Sequence, residues 1–198
     1  MDHLVWFNEK ASIWDSIATE EIKRRLKGII QSLNISSNST VLDVATGTGL
    51  LLPWLKEAVK PAGRLVALDF SPEMIARARE KYTDGIEFLV ADVHSLEFND
   101  NTFDEVICNS VFPHFTDKPR AMAEMFRVLK KGGRLTICHP APRDELNEFH
   151  KNLGGTVGAD MLPPADEMTA MAEAAGLAGI EIADGPEIYV LIAGKGVR

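Results

Sequence analysis

Val41-Leu42-Asp43-Val44-Ala45-Thr46-Gly47-Thr48-Gly49 is the stretch on which the fold turns. A short apolar, β-prone run ends around an acid, and a loop of small residues follows. The amphipathic segment Leu50 to Val59 comes next, so the spacing predicts a strand, a tight turn and a helix start. A loop without bulky side chains lets its backbone approach a ligand closely, and the free N–H groups of a helix start point at whatever sits there. Taken singly, such a Gly-x-Gly loop is common to many nucleotide binders.

The segments after it sharpen the reading. Arg64-Leu65-Val66-Ala67-Leu68-Asp69 reads as a second strand closing on a carboxylate, about twenty residues past the glycines, where an acid can accept hydrogen bonds from both ribose hydroxyls. Ile86 to Asp92 reads as a third strand, again ending in an acid, and Phe103 to Asn109 as a fourth. Val128 to Ile137 contains a helix end, the Gly132-Gly133 turn and a fifth strand. A nicotinamide dehydrogenase shares the loop and the ribose acid, but its fingerprint needs a third small residue where this chain has Leu52 followed by Pro53.

In order and spacing, VLDVATGTG, LDFSPEMI, ADVHSL, FDEVICNSVFPHF and VLKKGGRLTI resemble a class I S-adenosylmethionine-dependent methyltransferase, of the small-molecule type found in ubiquinone and menaquinone biosynthesis. That resemblance covers roughly residues 41 to 137. It implies an α/β, Rossmann-like, seven-stranded and mostly parallel sheet in the order 3-2-1-4-5-7-6, with helices on both faces and an N-terminal helical lid. It also implies S-adenosyl-L-methionine as cofactor. Asp43, Gly47 and Gly49 would hold its methionine part around Ala45, which is glycine in many relatives. Asp69 would take the ribose hydroxyls, Phe70 and Met74 would line the adenine slot, and Asp92 would accept from the adenine amino group under Val93. Asn109 and Ser110 would lie beneath the sulfonium and its methyl group.

Composition limits the alternatives. The chain of 198 residues suits one α/β domain, and its 45% hydrophobic and 25% charged residues are ordinary for a globular protein. A formal net charge of −8 repels phosphate backbones. The one dense basic run, Lys23-Arg24-Arg25-Leu26-Lys27, follows Glu20 and Glu21 and reads as a solvated helix face. No nucleic-acid partner is expected. Cys108 and Cys138 fall inside strands, where packed thiols are expected rather than a disulfide. With neither a leader-like start nor a span-length apolar run, a soluble cytoplasmic protein is expected.

A single domain is expected over 1–198: a helical lid over 1–38, a cofactor-binding core over 39–138, acceptor-side helices and loop over 139–176, and a closing β-hairpin over 177–198. Ile13, Ile17, Ile22, Leu26, Ile29, Ile30 and Leu33 fall at helical spacing within residues 9–33. Ser71-Pro72-Glu73 is a helix start, and further helices are predicted over 119–129, 143–153 and 165–175. The hairpin strands are placed at 178–183 and 187–193.

On the acceptor side, His94, His114 and His139 fall at or just past predicted strand ends, and His150 on the following helix. Arg143, Asn147 and His150 recur at i, i+4 and i+7 and share a face beside an apolar stripe of Leu146, Phe149 and Leu153. Such a helix can line an acceptor pocket, with the glycines of 153–158 allowing a lid to move. The candidate catalytic residues are His114, His139, His150 and Arg143. Three readings stand for the histidines: orienting or deprotonating a small-molecule acceptor, holding an activating metal, or satisfying loop backbone. No metal-ligand spacing pattern is present, so no metal is assigned. Trp6, Phe7 and Trp14 resemble an aromatic lid that excludes water, or else pack a helix on the sheet. The missing Asn-Pro-Pro-aromatic motif lowers the expectation of base or amide N-methylation. Alternatives to small-molecule methylation are a partner-dependent protein or RNA methyltransferase and a catalytically silent scaffold.

Overall fold

The computed structural model describes residues 3–60 and 62–197; Met1, Asp2, Pro61 and Arg198 lie outside the described residues. Its sheet has seven strands in the order β3-β2-β1-β4-β5-β7-β6, as the resemblance implies. They are β1 Thr40–Val44, β2 Arg64–Asp69, β3 Glu87–Val90, β4 Phe103–Asn109, β5 Leu129–His139, β6 Leu177–Asp184 and β7 Tyr189–Lys195. Strands β1 to β5 pair in parallel, and β7 runs against both its neighbours.

Central parallel strands are covered on both faces, so they read as continuous rather than alternating apolar runs. In β1, Val41, Leu42, Asp43 and Val44 are all buried. One core cluster packs α5 (Lys118–Val128) and α7 (Ala165–Ala175) on one side of the sheet through Met122, Met125 and Met168. The other packs α2 (Glu20–Ser32), α3 (Leu52–Ala58) and α4 (Pro72–Lys81) through Ile29, Leu55 and Ile75.

Helix boundaries follow from local chemistry. Ser71 caps α4, its hydroxyl accepting from the Met74 amide at 3.1 Å, and Pro72 supplies a fixed φ where no N–H is needed. Gly176 ends α7 in the left-handed region at φ 100°.

The N-terminal region departs from the expected run over residues 9–33. It is three pieces: α1 (His3–Lys10), a 3-10 turn at Trp14–Ile17, and α2. Thr19 forces a new start by capping α2, its hydroxyl accepting from the Ile22 amide at 3.2 Å. Ile13 and Ile17, read as part of one apolar stripe, are half exposed. The basic run of α2 is paired: Lys23 with Glu20, Arg24 with Glu21 and Glu187, and Arg25 with Glu21. Both cysteines are buried and free.

Candidate functional site

Strand order reverses between β1 and β4, and ligands of open α/β sheets bind beyond the carboxyl ends of the strands at such a point. Backbone strain collects there. Ala45 and Ser110, one residue past β1 and β4 respectively, have φ of 54° and 57°. A non-glycine residue in the left-handed region costs about 1–2 kcal/mol and persists only where the surroundings fix it. Position 45 therefore favours glycine for a conformational reason, and alanine is the smallest side chain that can replace it.

A cavity of about 300 Å³ opens at this switch point. Its sheet-side wall is Val44, Ala45, Leu68, Phe70, Ala91 and Val93, with Asp92 and His94 at the rim. The opposite wall includes His3, Phe7, Val111, His114 and Phe115. An apolar slot with a carboxylate at its rim suits a purine ring carrying an exocyclic amine. Asp92 Oδ1 accepts from the His94 amide at 2.9 Å and meets the His94 ring at 2.6 Å. These bonds hold its carboxyl below the usual range, although burial pulls the other way.

Four predicted cofactor residues, Ala45, Phe70, Asp92 and Val93, thus line one cavity. Asp43, Gly47, Gly49, Asp69, Met74, Asn109 and Ser110 are not part of its wall. The N-terminal α1 and the 3-10 turn after it, expected to form a lid, lie against the glycine loop and α4. A side-chain carbon placed on Gly47 would meet the indole nitrogen of Trp14 at 3.4 Å. The Thr48 hydroxyl donates to Asp15 at 2.6 Å, Lys81 donates to the same carboxylate at 2.8 Å, and the Ser71 hydroxyl donates to Asn8 at 2.6 Å. Met74 is buried with Phe7 and Ala11.

Behind this lid the two carboxylates most suited to a charged, hydroxyl-bearing ligand are already desolvated. Asp69 accepts from the amides of Gly47 at 2.8 Å and Ser71 at 2.9 Å, one on each oxygen, leaving lone pairs on both for a vicinal diol. Burial pushes Asp69 up to about 6 despite the backbone donors of Ser71, Gly47 and Phe70. Asp43 accepts from the Thr46 hydroxyl at 2.7 Å; burial, with a smaller contribution from the charge of Asp69, pushes it up to about 7. Two buried acids that resist ionising fit a cationic ligand, which would stabilise their charged forms.

The sign of the resulting pH dependence is fixed. Both carboxyls hold a proton to higher pH in the folded chain than at the ordinary 3.8, so their contribution to stability is complete below that value. It is lost as pH rises through about 6 and about 7. The ligand-free protein should therefore melt lower at about pH 7.5 than at about pH 5, and Asp43→Asn should shrink that difference. A melting series showing equal pH dependence in both proteins would refute the assignment.

The histidines separate into two kinds. His114 sits on a 3-10 turn after β4 (Phe112–His114), lines the cavity, and meets Asp160 Oδ2 through Nδ1 at 2.8 Å. Burial, only partly opposed by Asp160, lowers its pKa and keeps the ring neutral near pH 7. His3 meets the same oxygen through Nε2 at 2.8 Å. Neither His3 nor Asp160 was singled out from the sequence. Their contact spans 157 positions, and Asp160 lies in a loop with no periodicity to mark it.

His139, by contrast, is fully buried, and neither ring nitrogen has a hydrogen-bond partner among the described residues. Burial drops its pKa to about 3. His139 is the last residue of β5, its ring 6.1 Å from that of Tyr189, and it is not part of the cavity wall.

The helix α6 (Arg143–Leu153) reverses the expected polarity. Phe149 and Leu153 of its apolar stripe are half exposed, whereas Asn147 and His150 are buried. The reason is the loop beyond the helix, whose main chain needs partners. Asn147 accepts from the Leu162 amide at 2.8 Å and donates to its carbonyl at 3.1 Å, and His150 Nδ1 pairs with the Asp160 carbonyl at 2.5 Å. Arg143 donates to the Leu162 carbonyl and pairs with Asp144. It borders a separate open groove of about 400 Å³ with Lys118 and Lys151, not the cavity. Arg143, Asn147 and His150 thus brace the loop that carries Asp160.

Comparison with known proteins agrees with this fold. The family model described as "Methyltransferase domain" matches residues 42–137. The ubiquinone/menaquinone biosynthesis C-methyltransferase UbiE of Enterobacter sp. (strain 638) is 32% identical over 179 residues, which cover 77% of this chain and 71% of that protein. The demethylmenaquinone methyltransferase of Thermus thermophilus is 44% identical over 105 residues, 52% of this chain and 47% of that one. A SAM-dependent methyltransferase structure from Aquifex aeolicus superposes with a TM-score of 0.77 at 22% identity, covering 95% of this chain and 98% of its own. The chain spans between 39% and 71% of the length of the first curated relatives it matches. Motif order, strand order and similarity along most of the chain agree: it belongs to the class I S-adenosylmethionine-dependent methyltransferases.

Proposed function

We propose that this protein transfers the methyl group of S-adenosyl-L-methionine to a small-molecule acceptor by in-line displacement. The observation that carries the reading is the switch-point cavity, apolar on its sheet side, with a neutral histidine facing it from the other wall. Bound donor supplies an electrophilic methyl group on a sulfonium sulfur. Asp43 and Asp69 would hold its cationic and ribose parts, and Phe70, Asp92 and Val93 its adenine. Phe7 and Trp14 exclude water from the same region, which strengthens interactions with the changing charge. Alignment of nucleophile, methyl carbon and sulfur supplies most of the acceleration in such a displacement.

On the acceptor side, Asp160 fixes the ring of His114 through Nδ1 and leaves Nε2 to orient an acceptor or take its proton. Similarity to quinone methyltransferases and a cavity of about 300 Å³ both favour a small acceptor over a protein or RNA. No helix among the described residues is long and apolar enough to cross a membrane.

Tritium-labelled methyl donor incubated with the protein and fractionated cell extract tests the reading. Label should appear in the low-mass fraction. Label in protein or RNA would overturn the acceptor class, and tight donor binding with no transfer would favour a silent scaffold. With the acceptor in hand, His114→Gln should lower kcat about a hundredfold while donor affinity is retained. Unchanged turnover would remove His114 from the chemistry.

A further inference from the structure

We propose that His3, His114 and Asp160 form a binding site for a divalent transition-metal ion of the zinc type at the mouth of the cavity. Asp160 Oδ2 stands 2.8 Å from His3 Nε2 and 2.8 Å from His114 Nδ1. All three ligand atoms lie within 4.8 Å of one another. Around a tetrahedral ion with bonds of about 2.0–2.2 Å, neighbouring ligand atoms are separated by roughly 3.4 Å. At 2.8 Å both histidine nitrogens stand closer to Asp160 than that, so the side chains would open by roughly 0.6 Å to admit an ion.

Two imidazoles and one carboxylate are a donor set suited to zinc and its neighbours, and three protein ligands leave a fourth position open. His3 and His114 are both part of the cavity wall, so an ion held between them would stand beside the cavity. The side chains are 23%, 10% and 15% exposed, buried enough to exclude bulk water yet reachable by an ion. Support from behind is also built in. The His150 ring lies 4.8 Å from that of His114, while its Nδ1 pairs with the main-chain oxygen of Asp160. Such outer contacts orient ligands and raise affinity.

The three ligands come from α1, the turn after β4 and the loop before α7, which share no strand pairing. An ion would replace the protons now shared on one carboxylate oxygen and fasten the lid to the body. The inference does not rest on methyl transfer, since it is read on the protein alone.

Tag-free full-length protein titrated with Co²⁺ should develop visible d–d absorption saturating at one equivalent, and Zn²⁺ should displace it. His3→Ala and Asp160→Asn should each weaken Co²⁺ binding at least tenfold. Absence of the absorption, or binding that neither variant changes, would overturn the site. Should Asp160→Asn unfold, His3→Ala decides, because His3 opens α1 away from the sheet. Zinc should raise the melting temperature of the parent protein and leave that of His3→Ala unmoved; an equal rise in both would place the ion elsewhere.

Discussion

Asp69→Ala is expected to lower affinity for S-adenosyl-L-methionine by a hundredfold or more. A hydrogen bond to a charged group contributes about 1.5–3 kcal/mol, and a vicinal diol makes two, so the loss is about 3–6 kcal/mol. Asp69 has a second task, as its oxygens anchor the Gly47 and Ser71 amides when no ligand is present. Removing it orphans both donors behind the lid, so the melting temperature should also fall. Calorimetric titration at a temperature where the variant is folded separates the two effects. Retained affinity in a folded variant would mean that this carboxylate does not hold the ribose, and would undo the donor-site assignment around it.

Gly63→Ala should be the most damaging conservative change to stability. A side-chain carbon at that position would lie 2.6 Å from Val59 Cβ and 2.7 Å from the Ser39 carbonyl oxygen, and closer still to the Val59 carbonyl oxygen. Two of the three obstacles are main chain. They hold the hydrogen bonds that seat β2: Gly63 donates to Val59 at 2.8 Å, and Arg64 to Ser39 at 3.1 Å. Overpacking of this kind costs about 3 kcal/mol where the neighbours cannot retreat. For a chain of this size that lowers Tm by roughly 6–12 °C. A shift under about 2 °C would show that the turn can relax.

The cofactor half of the fold was readable because acids stand at or near the carboxyl ends of its first three strands. Acids at 43, 69 and 92 interrupt apolar runs, and Ser71-Pro72 announces a helix. The acceptor half was less readable. Periodicity correctly gives α6, with Arg143, Asn147 and His150 on one face, but not which way that face turns. Main-chain groups of a loop more than ten residues away decide that, and they leave no trace in the helix's own pattern. The burial of His139 was hidden for a related reason: alternation along a strand gives two faces, and only tertiary packing tells which is dry. His3 and Asp160 carry no local signal, since their role arises only when the lid meets the loop.

The strap formed by α1 and the following turn is tied at both ends, through His3 to Asp160 and through Asp15 to Thr48 and Lys81. Fastened so, it leaves about 300 Å³, the lower limit for sites that take even one small ligand. Should the strap stay fastened over bound ligand, exchange would require one of these ties to open, and turnover could not then outrun that opening.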